Sequence, residues 1–185
     1  MSSDFQTKKI MRLFQALDYD NNGFLERSDL VKEAANLAEL RGLDPKSKEA
    51  STLSQMLEAM YKDLFTMAGP KGNATCEQLV GFWQKIASGV RANDMGALEG
   101  LKMAGRATMA LLDADKSNTI TYTEYDAWVR SLNPAVKFDT KAAWQKLDAD
   151  KDGCLTVTEM DKVLREFFVD GDPNAAGSYL LGPIS

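Results

Sequence analysis

The twelve residues "DADKDGCLTVTE", Asp148 to Glu159, decide how this chain is read. Oxygen-bearing side chains stand at positions 1, 3 and 5 (Asp148, Asp150, Asp152), a glycine at 6 (Gly153), an apolar residue at 8 (Leu155) and a carboxylate at 12 (Glu159). A hard cation such as Ca²⁺ takes about six to eight oxygens at roughly 2.3–2.6 Å, and a loop wound around it presents alternate side chains inward. Position 7 then contributes only its backbone carbonyl, so Cys154 is acceptable there. Position 6 must turn with φ > 0, which glycine does without steric cost. Thr156, at position 9, is expected to act through water.

The same frame occurs twice upstream. "DADKSNTITYTE" offers Asp113, Asp115, Ser117, the Thr119 carbonyl and Glu124. Asn118 holds its position 6, and Asn is among the few other residues that tolerate the left-handed region. "DYDNNGFLERSD" offers Asp18, Asp20, Asn22, the Phe24 carbonyl, Glu26 at position 9 and Asp29 at position 12. Asp29 is one methylene shorter than glutamate, so this site is expected to discriminate least against Mg²⁺, which wants fewer, tighter ligands. Lys116 and Lys151 read as solvated charges pointing out of their loops.

The flanks repeat too. Phe14 and Leu17, Met109 and Leu112, and Trp144 and Leu147 precede the loops at matching positions. Tyr125, Trp128, Val129 and Leu132 follow one loop, and Met160, Val163, Leu164 and Phe167 follow another, in the i, i+3, i+4, i+7 pattern of a one-sided apolar helix. Ile10, Leu13, Phe14 and Leu17 form such a stripe before the first loop.

A fourth frame, "MAGPKGNATCEQ", Met67 to Gln78, keeps Gly72 at position 6, Thr75 at 9 and the outgoing stripe Leu79, Phe82, Trp83, Ile86. Positions 1, 3 and 5 are Met67, Gly69 and Lys71, which carry no side-chain oxygen, and Gln78 is no charged bidentate ligand. Asp63 and Thr66 break the incoming stripe. The frame reads as a repeat that kept its scaffold and lost its metal.

Three complete loops with amphipathic flanks identify the chain as an EF-hand protein. Three working loops numbered one, three and four, long inner helices in the first half and "LERSDLVKEAANLAE" resemble the sarcoplasmic calcium-binding proteins and their calerythrin-like bacterial members. The resemblance implies an all-α, compact fold: four EF-hands in two packed pairs, with short antiparallel β links between paired loops. It also implies an intracellular Ca²⁺ buffer or transporter with three Ca²⁺ sites, Mg²⁺ competing for the same loops. The expected units are an N-terminal pair at 1–90, a C-terminal pair at 91–168, and a tail at 169–185 whose Tyr179, Leu180 and Leu181 dock on the body. "RGLDP" at 41–45 is expected to break the long helices around 27–41 and 46–67, and Met56, Met60 and Met67 to pack in the N-terminal core.

Coelenterazine-dependent photoproteins and luciferin-binding proteins resemble the same architecture, which raises a second possibility, a carrier of an apolar ligand bordered by Trp83, Trp128 and Trp144. Photoproteins use histidine near the bound peroxide, and this chain has none. A third is a Ca²⁺ sensor that exposes an apolar surface to a protein partner. No nucleophile–base pair is visible, so no enzyme is expected.

Composition bounds these alternatives. A formal net charge of -5 opposes nucleic-acid binding. No apolar run approaches a membrane span, and position 2 is no glycine for a lipid anchor. Cys76 and Cys154 sit in no metal or redox spacing, which points to a reducing, cytoplasmic setting. A monomer is expected, with no protein partner identifiable.

Overall fold

The stripe Ile10, Leu13, Phe14 and Leu17 folds into helix α1 (Asp4–Leu17), and all four side chains are buried. The computed structural model describes residues 4–135, 137 and 139–184, so the first three residues and the last residue of the expected tail lie outside it. A two-residue strand, β1 (Phe24–Leu25), leads into α2 (Arg27–Leu40). "RGLDP" separates α2 from α3 (Lys48–Ala68), whose first turn is capped by the Ser47 side chain accepting from the Ala50 amide at 3.1 Å. Strand β2 (Ala74–Thr75) and α4 (Cys76–Arg91) complete the first half. The second comprises α5 (Met95–Leu112), β3 (Thr119–Thr121), α6 (Tyr122–Ser131), α7 (Thr140–Leu147), β4 (Cys154–Thr156) and α8 (Val157–Phe168), followed by a 3-10 turn at Ala176–Tyr179.

The strands pair as the repeat requires. Leu25 faces Ala74 across the antiparallel β1–β2 link, and Ile120 faces Leu155 across β3–β4. Each is the eighth residue of its frame, so the pairing fixes the register of the degenerate frame that begins at Met67. All four side chains are fully buried.

That second frame departs from the others in one respect. Helices α1, α5 and α7 stop one residue before position 1, whereas α3 runs on through Met67 to Ala68. In the three acidic loops an aspartate at position 1 accepts backbone amides inside the loop, and Met67 has no oxygen to do so. The helix therefore continues until Gly69, at φ 107, ends it. The core-facing residues of α3 are Ala50, Leu53, Leu57 and Leu64, a frame displaced by one from Asp63. Met56 and Met60 pack against the core as expected, but Met67 is 49% exposed. The overrun of α3 has carried it onto the solvent side.

The halves are packed together. Only Ala92–Asp94 separates α4 from α5, and α5 lies against both α4 and α8. Trp83 of α4 stacks on Phe168 of α8 with ring centroids 3.6 Å apart and planes 15° off parallel. The end of α8 is capped from the first half. Gln6 donates to the Phe168 carbonyl, Arg91 to the Val169 carbonyl, and Lys9 to the carbonyls of Glu166 and, at 2.7 Å, Asp170. Cations belong at this negative end of a helix. Lys9 is wholly buried, and burial pushes its ammonium down to about 8, with Asp170 and Glu166 opposing the shift.

The tail returns to the body. Leu180 and Leu181 are buried, and the buried Tyr125 hydroxyl donates to the Leu180 carbonyl at 2.9 Å. Gly177 permits the approach: a Cβ there would meet the Val163 carbonyl oxygen at 2.1 Å. Its amide donates to Glu166 Oε2 at 2.8 Å. Gly177→Ala is therefore expected to unseat the tail, at a cost of about 1–3 kcal/mol. Limited proteolysis should cleave the tail of the variant markedly faster than that of the parent, and equal rates would contradict the close approach.

Candidate metal centres

Each of the three acidic loops is shaped by the aspartate at its first position. Asp18 accepts the Asn22 amide on Oδ1 at 3.1 Å and the Gly23 amide on Oδ2 at 3.0 Å. Asp113 repeats this with the amides of Ser117 at 3.0 Å and Asn118 at 2.9 Å. Asp148 Oδ2 accepts the Gly153 amide at 3.2 Å, while its Oδ1 is buried with no hydrogen-bond partner among the described residues. A buried, unpartnered carboxylate oxygen is costly unless something positive sits against it.

The third position tightens the same turn. Asp20 accepts from the Asn22 amide at 3.1 Å, Asp115 from the Ser117 amide at 3.0 Å, and Asp150 from the Asp152 amide at 3.3 Å. At position 6, Gly23, Asn118 and Gly153 take φ of 84°, 63° and 92°, as the spacing predicts. Position 4 is left-handed too, with Asn21, Lys116 and Lys151 at 58°, 61° and 64°. No glycine marks this position in any of the three loops. Both lysines are exposed, in keeping with solvated charges.

The carboxylate at position 12 closes the loop. Asp29 accepts the Tyr19 amide on Oδ1 at 3.0 Å and the Glu26 amide on Oδ2 at 2.9 Å, joining the start of the first loop to its end. Glu124 does the same in the third with the Ala114 amide at 2.7 Å and the Thr121 amide at 2.8 Å. Glu159 Oε2 accepts from the Thr156 amide at 2.9 Å and hydroxyl at 2.7 Å. The Thr156 hydroxyl in turn accepts the Glu159 amide, so this residue caps α8, as Thr121 caps α6. Thr75 and Gln78 form the same reciprocal cap on α4, which is why the degenerate frame still launches its helix.

Three groups of carboxylates converge as a result. Oxygens from Asp18, Asp20 and Asp29 lie within 4.8 Å of one another, as do oxygens from Asp113, Asp115 and Glu124, and from Asp148, Asp150 and Asp152. Two ligands of one Ca²⁺ are at most about 5 Å apart, given its bond lengths. Hard oxygens at that spacing, with an orphaned oxygen in the fourth loop, suit such an ion. Burial pushes the Asp29 carboxyl upward, and the neighbouring Asp20 and Asp18 add to the effect.

The remaining expected ligands lie in the loops with local partners. Asn22 Oδ1 accepts the Phe24 amide at 2.8 Å, and Ser117 Oγ contacts the Thr119 carbonyl at 3.2 Å. Asp152 accepts from the Cys154 amide at 3.0 Å and from its thiol at 3.3 Å, a bond that holds the thiol protonated and raises its pKa. Ser28 donates to Glu26 Oε1 at 2.9 Å. Glu26 and Glu159 are the expected carboxylates outside the tight groups of their loops, Glu159 being held at the rim by Thr156.

Several residues around the loops carry no repeat signal. Asn133 reaches the first loop and Arg41 the end of α5 just ahead of the third, and Glu33 is buried between α2 and α6. Their types and spacing are unremarkable, and only the packing of the halves gives them a role.

Known proteins fit this geometry. The family model for the EF hand matches residues 10–32, which span the first loop and parts of its two helices. Calerythrin of Saccharopolyspora erythraea is 27% identical over 134 residues, 71% of this chain and 75% of its own length. Among solved structures, the coelenterazine-binding protein of Renilla muelleri in its calcium-loaded apo form superposes with a TM-score of 0.76 at 17% identity, covering 97% of this chain and 96% of that one. The sarcoplasmic calcium-binding protein of amphioxus gives 0.69 at 16% identity over 98% of each chain. These structural likenesses speak for a common fold.

Proposed function

We propose that this chain, an EF-hand calcium-binding protein of the calerythrin-like sarcoplasmic family, is a cytoplasmic, monomeric Ca²⁺ buffer or transporter with three sites. The observation that carries the reading is the convergence of three carboxylate sets within 4.8 Å on a molecule whose halves and tail are closed on one another. Asp18, Asp20, Asn22, Asp29, the Phe24 carbonyl and Glu26 serve the first ion. Asp113, Asp115, Ser117, Glu124 and the Thr119 carbonyl serve the second. Asp148, Asp150, Asp152, Glu159 and the Cys154 carbonyl serve the third, with Glu159 swinging from the rim onto the ion. Mg²⁺ competes, most effectively at the first loop because of Asp29. Residues 1–90 and 91–168 work as the two pairs, and the tail to 185 holds them shut. The carboxylates are committed to the loops, so no catalytic role is assigned.

A sensor would gather methionines into a groove that calcium opens. Among the described residues the exposed methionines, Met11, Met67, Met95 and Met103, are spread over α1, α3 and α5. As for an apolar ligand, Trp83, Trp128 and Trp144 are buried, and their rings meet other aromatic rings: Trp83 meets Phe168, Trp128 meets Tyr125, and Trp144 meets Tyr122 and Tyr125. They read as core.

Calcium titration calorimetry with and without Mg²⁺ tests the proposal. Three equivalents are expected, with submicromolar sites that Mg²⁺ weakens; Glu124→Gln and Glu159→Gln should each remove one equivalent. Micromolar sites indifferent to Mg²⁺ would favour a sensor, and a fourth equivalent would contradict the reading of the second frame.

A further inference from the structure

Resting on that reading, we propose that the first and third loops, those opened by Asp18 and Asp113, are energetically coupled through two reciprocal caps, in which Asn133 and Arg41 position the loop of the opposite half. The last carbonyls of a helix have no partner within it and need one elsewhere. At the end of α1, just ahead of the first loop, they find Asn133. Its backbone amide donates to the Ala16 carbonyl at 2.9 Å. Its Nδ2 donates to the Asp18 carbonyl at 2.6 Å and lies 3.2 Å from the Gln15 carbonyl and 3.0 Å from Asn21 Oδ1. Asp18 opens the first loop, and Asn21 is its left-handed fourth residue. Asn133 is 2% exposed, and its own Oδ1 is tied to the Ala135 amide at 3.0 Å, so the amide cannot swing away freely.

At the end of α5, just ahead of the third loop, the carbonyls find Arg41. Its guanidinium donates to Leu111 at 2.6 Å and Leu112 at 3.0 Å, and its charge faces Asp113 and Glu124 of that loop. Ala16 and Leu111 occupy the same place in their repeats, two residues before position 1. Arg41 and Asn133 do not share a repeat position, but each lies just beyond the exit helix of its own loop, α2 or α6. The exit helices touch as well, with Asn36 of α2 donating to the Ser131 carbonyl at 3.0 Å. The exit side of each loop therefore grips the entry side of the other.

Filling an EF-hand loop orders the helix ends that enter and leave it, and a second ion that finds part of this ordering done binds more tightly. Ordering α2 by filling the first loop holds Arg41 against the end of α5, and ordering α6 by filling the third holds Asn133 against the end of α1. Coupling of this kind is reciprocal in binding free energy.

The test reads each loop separately, through the NMR amide signals of Gly23, Asn118 and Gly153 during calcium titration. Blocking the third loop with Glu124→Gln should weaken the first by about fivefold or more. Blocking the first with Asp29→Asn should weaken the third by the same factor. In a protein carrying both Asn133→Ala and Arg41→Met the factor should fall close to one, while the affinity of the fourth loop, read at Gly153, stays unchanged. Should that protein fail to fold, Asn133→Ser and Arg41→Lys singly, each keeping a donor, should lower the factor partway. A first loop indifferent to Glu124→Gln, or a factor undiminished by the cap substitutions, overturns the coupling alone. A Gly23 signal that ignores calcium altogether removes the metal assignment of the first loop, and the coupling with it.

Discussion

Saturating calcium should raise the melting temperature of the metal-free protein by about 20 °C or more. An ion that binds the folded state alone stabilises it by about 4 kcal/mol at a thousand times its dissociation constant, so three such sites give roughly 12 kcal/mol. For a chain of this length each kcal/mol moves the midpoint by about 2–4 °C. The sign follows from the loops themselves. Nine carboxylates stand in three groups with oxygens inside 4.8 Å, and like charges that close oppose the compact state. Three divalent ions would also carry the formal charge from -5 to about +1. Circular dichroism melts in excess calcium against excess chelator measure the shift, and coincident melts would reject the metal assignment of all three loops. Glu159→Gln should retain most of the shift, because two sites remain.

The repeat made the loops legible, because each ligand position is fixed by its distance from the next along the chain. The pairing of Leu25 with Ala74 and of Ile120 with Leu155 was legible for the same reason: the eighth residue of every frame must find a partner. The second frame differs legibly too, since Met67, Gly69 and Lys71 lack side-chain oxygens. The overrun of α3 could not. It depends on what unwinds a helix, and the absence of an aspartate at position 1 shows its effect only once the amides it would have held are located. The contacts between halves lie further still from the sequence. Lys9, Arg41 and Asn133 act on carbonyls of residues remote in the chain, and a lone cation or amide on a helix face usually means solvent.

Glu33→Gln should stabilise the calcium-loaded protein by roughly 2–3 kcal/mol at pH 8 and by little near pH 4.5. Glu33 lies on α2 with 4% exposure; one oxygen accepts from the Trp128 indole of α6 and the other, Oε2, is buried without a partner among the described residues. The neighbouring Tyr61 of α3 has its own pKa raised, first by burial and then by Glu33. A carboxylate in that setting loses its hydration and gains one hydrogen bond, so burial pushes its pKa from 4.5 up to about 7. Between those values the folded protein holds a proton that the unfolded chain has released. Stability from this group is therefore present in full below about pH 4.5, falls as pH rises toward 7, and stays low above it. Glutamine keeps the size and the acceptor for Trp128 but has no proton to lose, and its amide adds donors where Oε2 stood. Urea midpoints of parent and variant, compared pairwise from pH 4.5 to 8 at saturating calcium, isolate the effect, because the pH dependence of the loops is common to both. A variant no more stable than the parent at pH 8 would mean that the carboxylate is already ionised and compensated, and that α2 and α6 tolerate its charge.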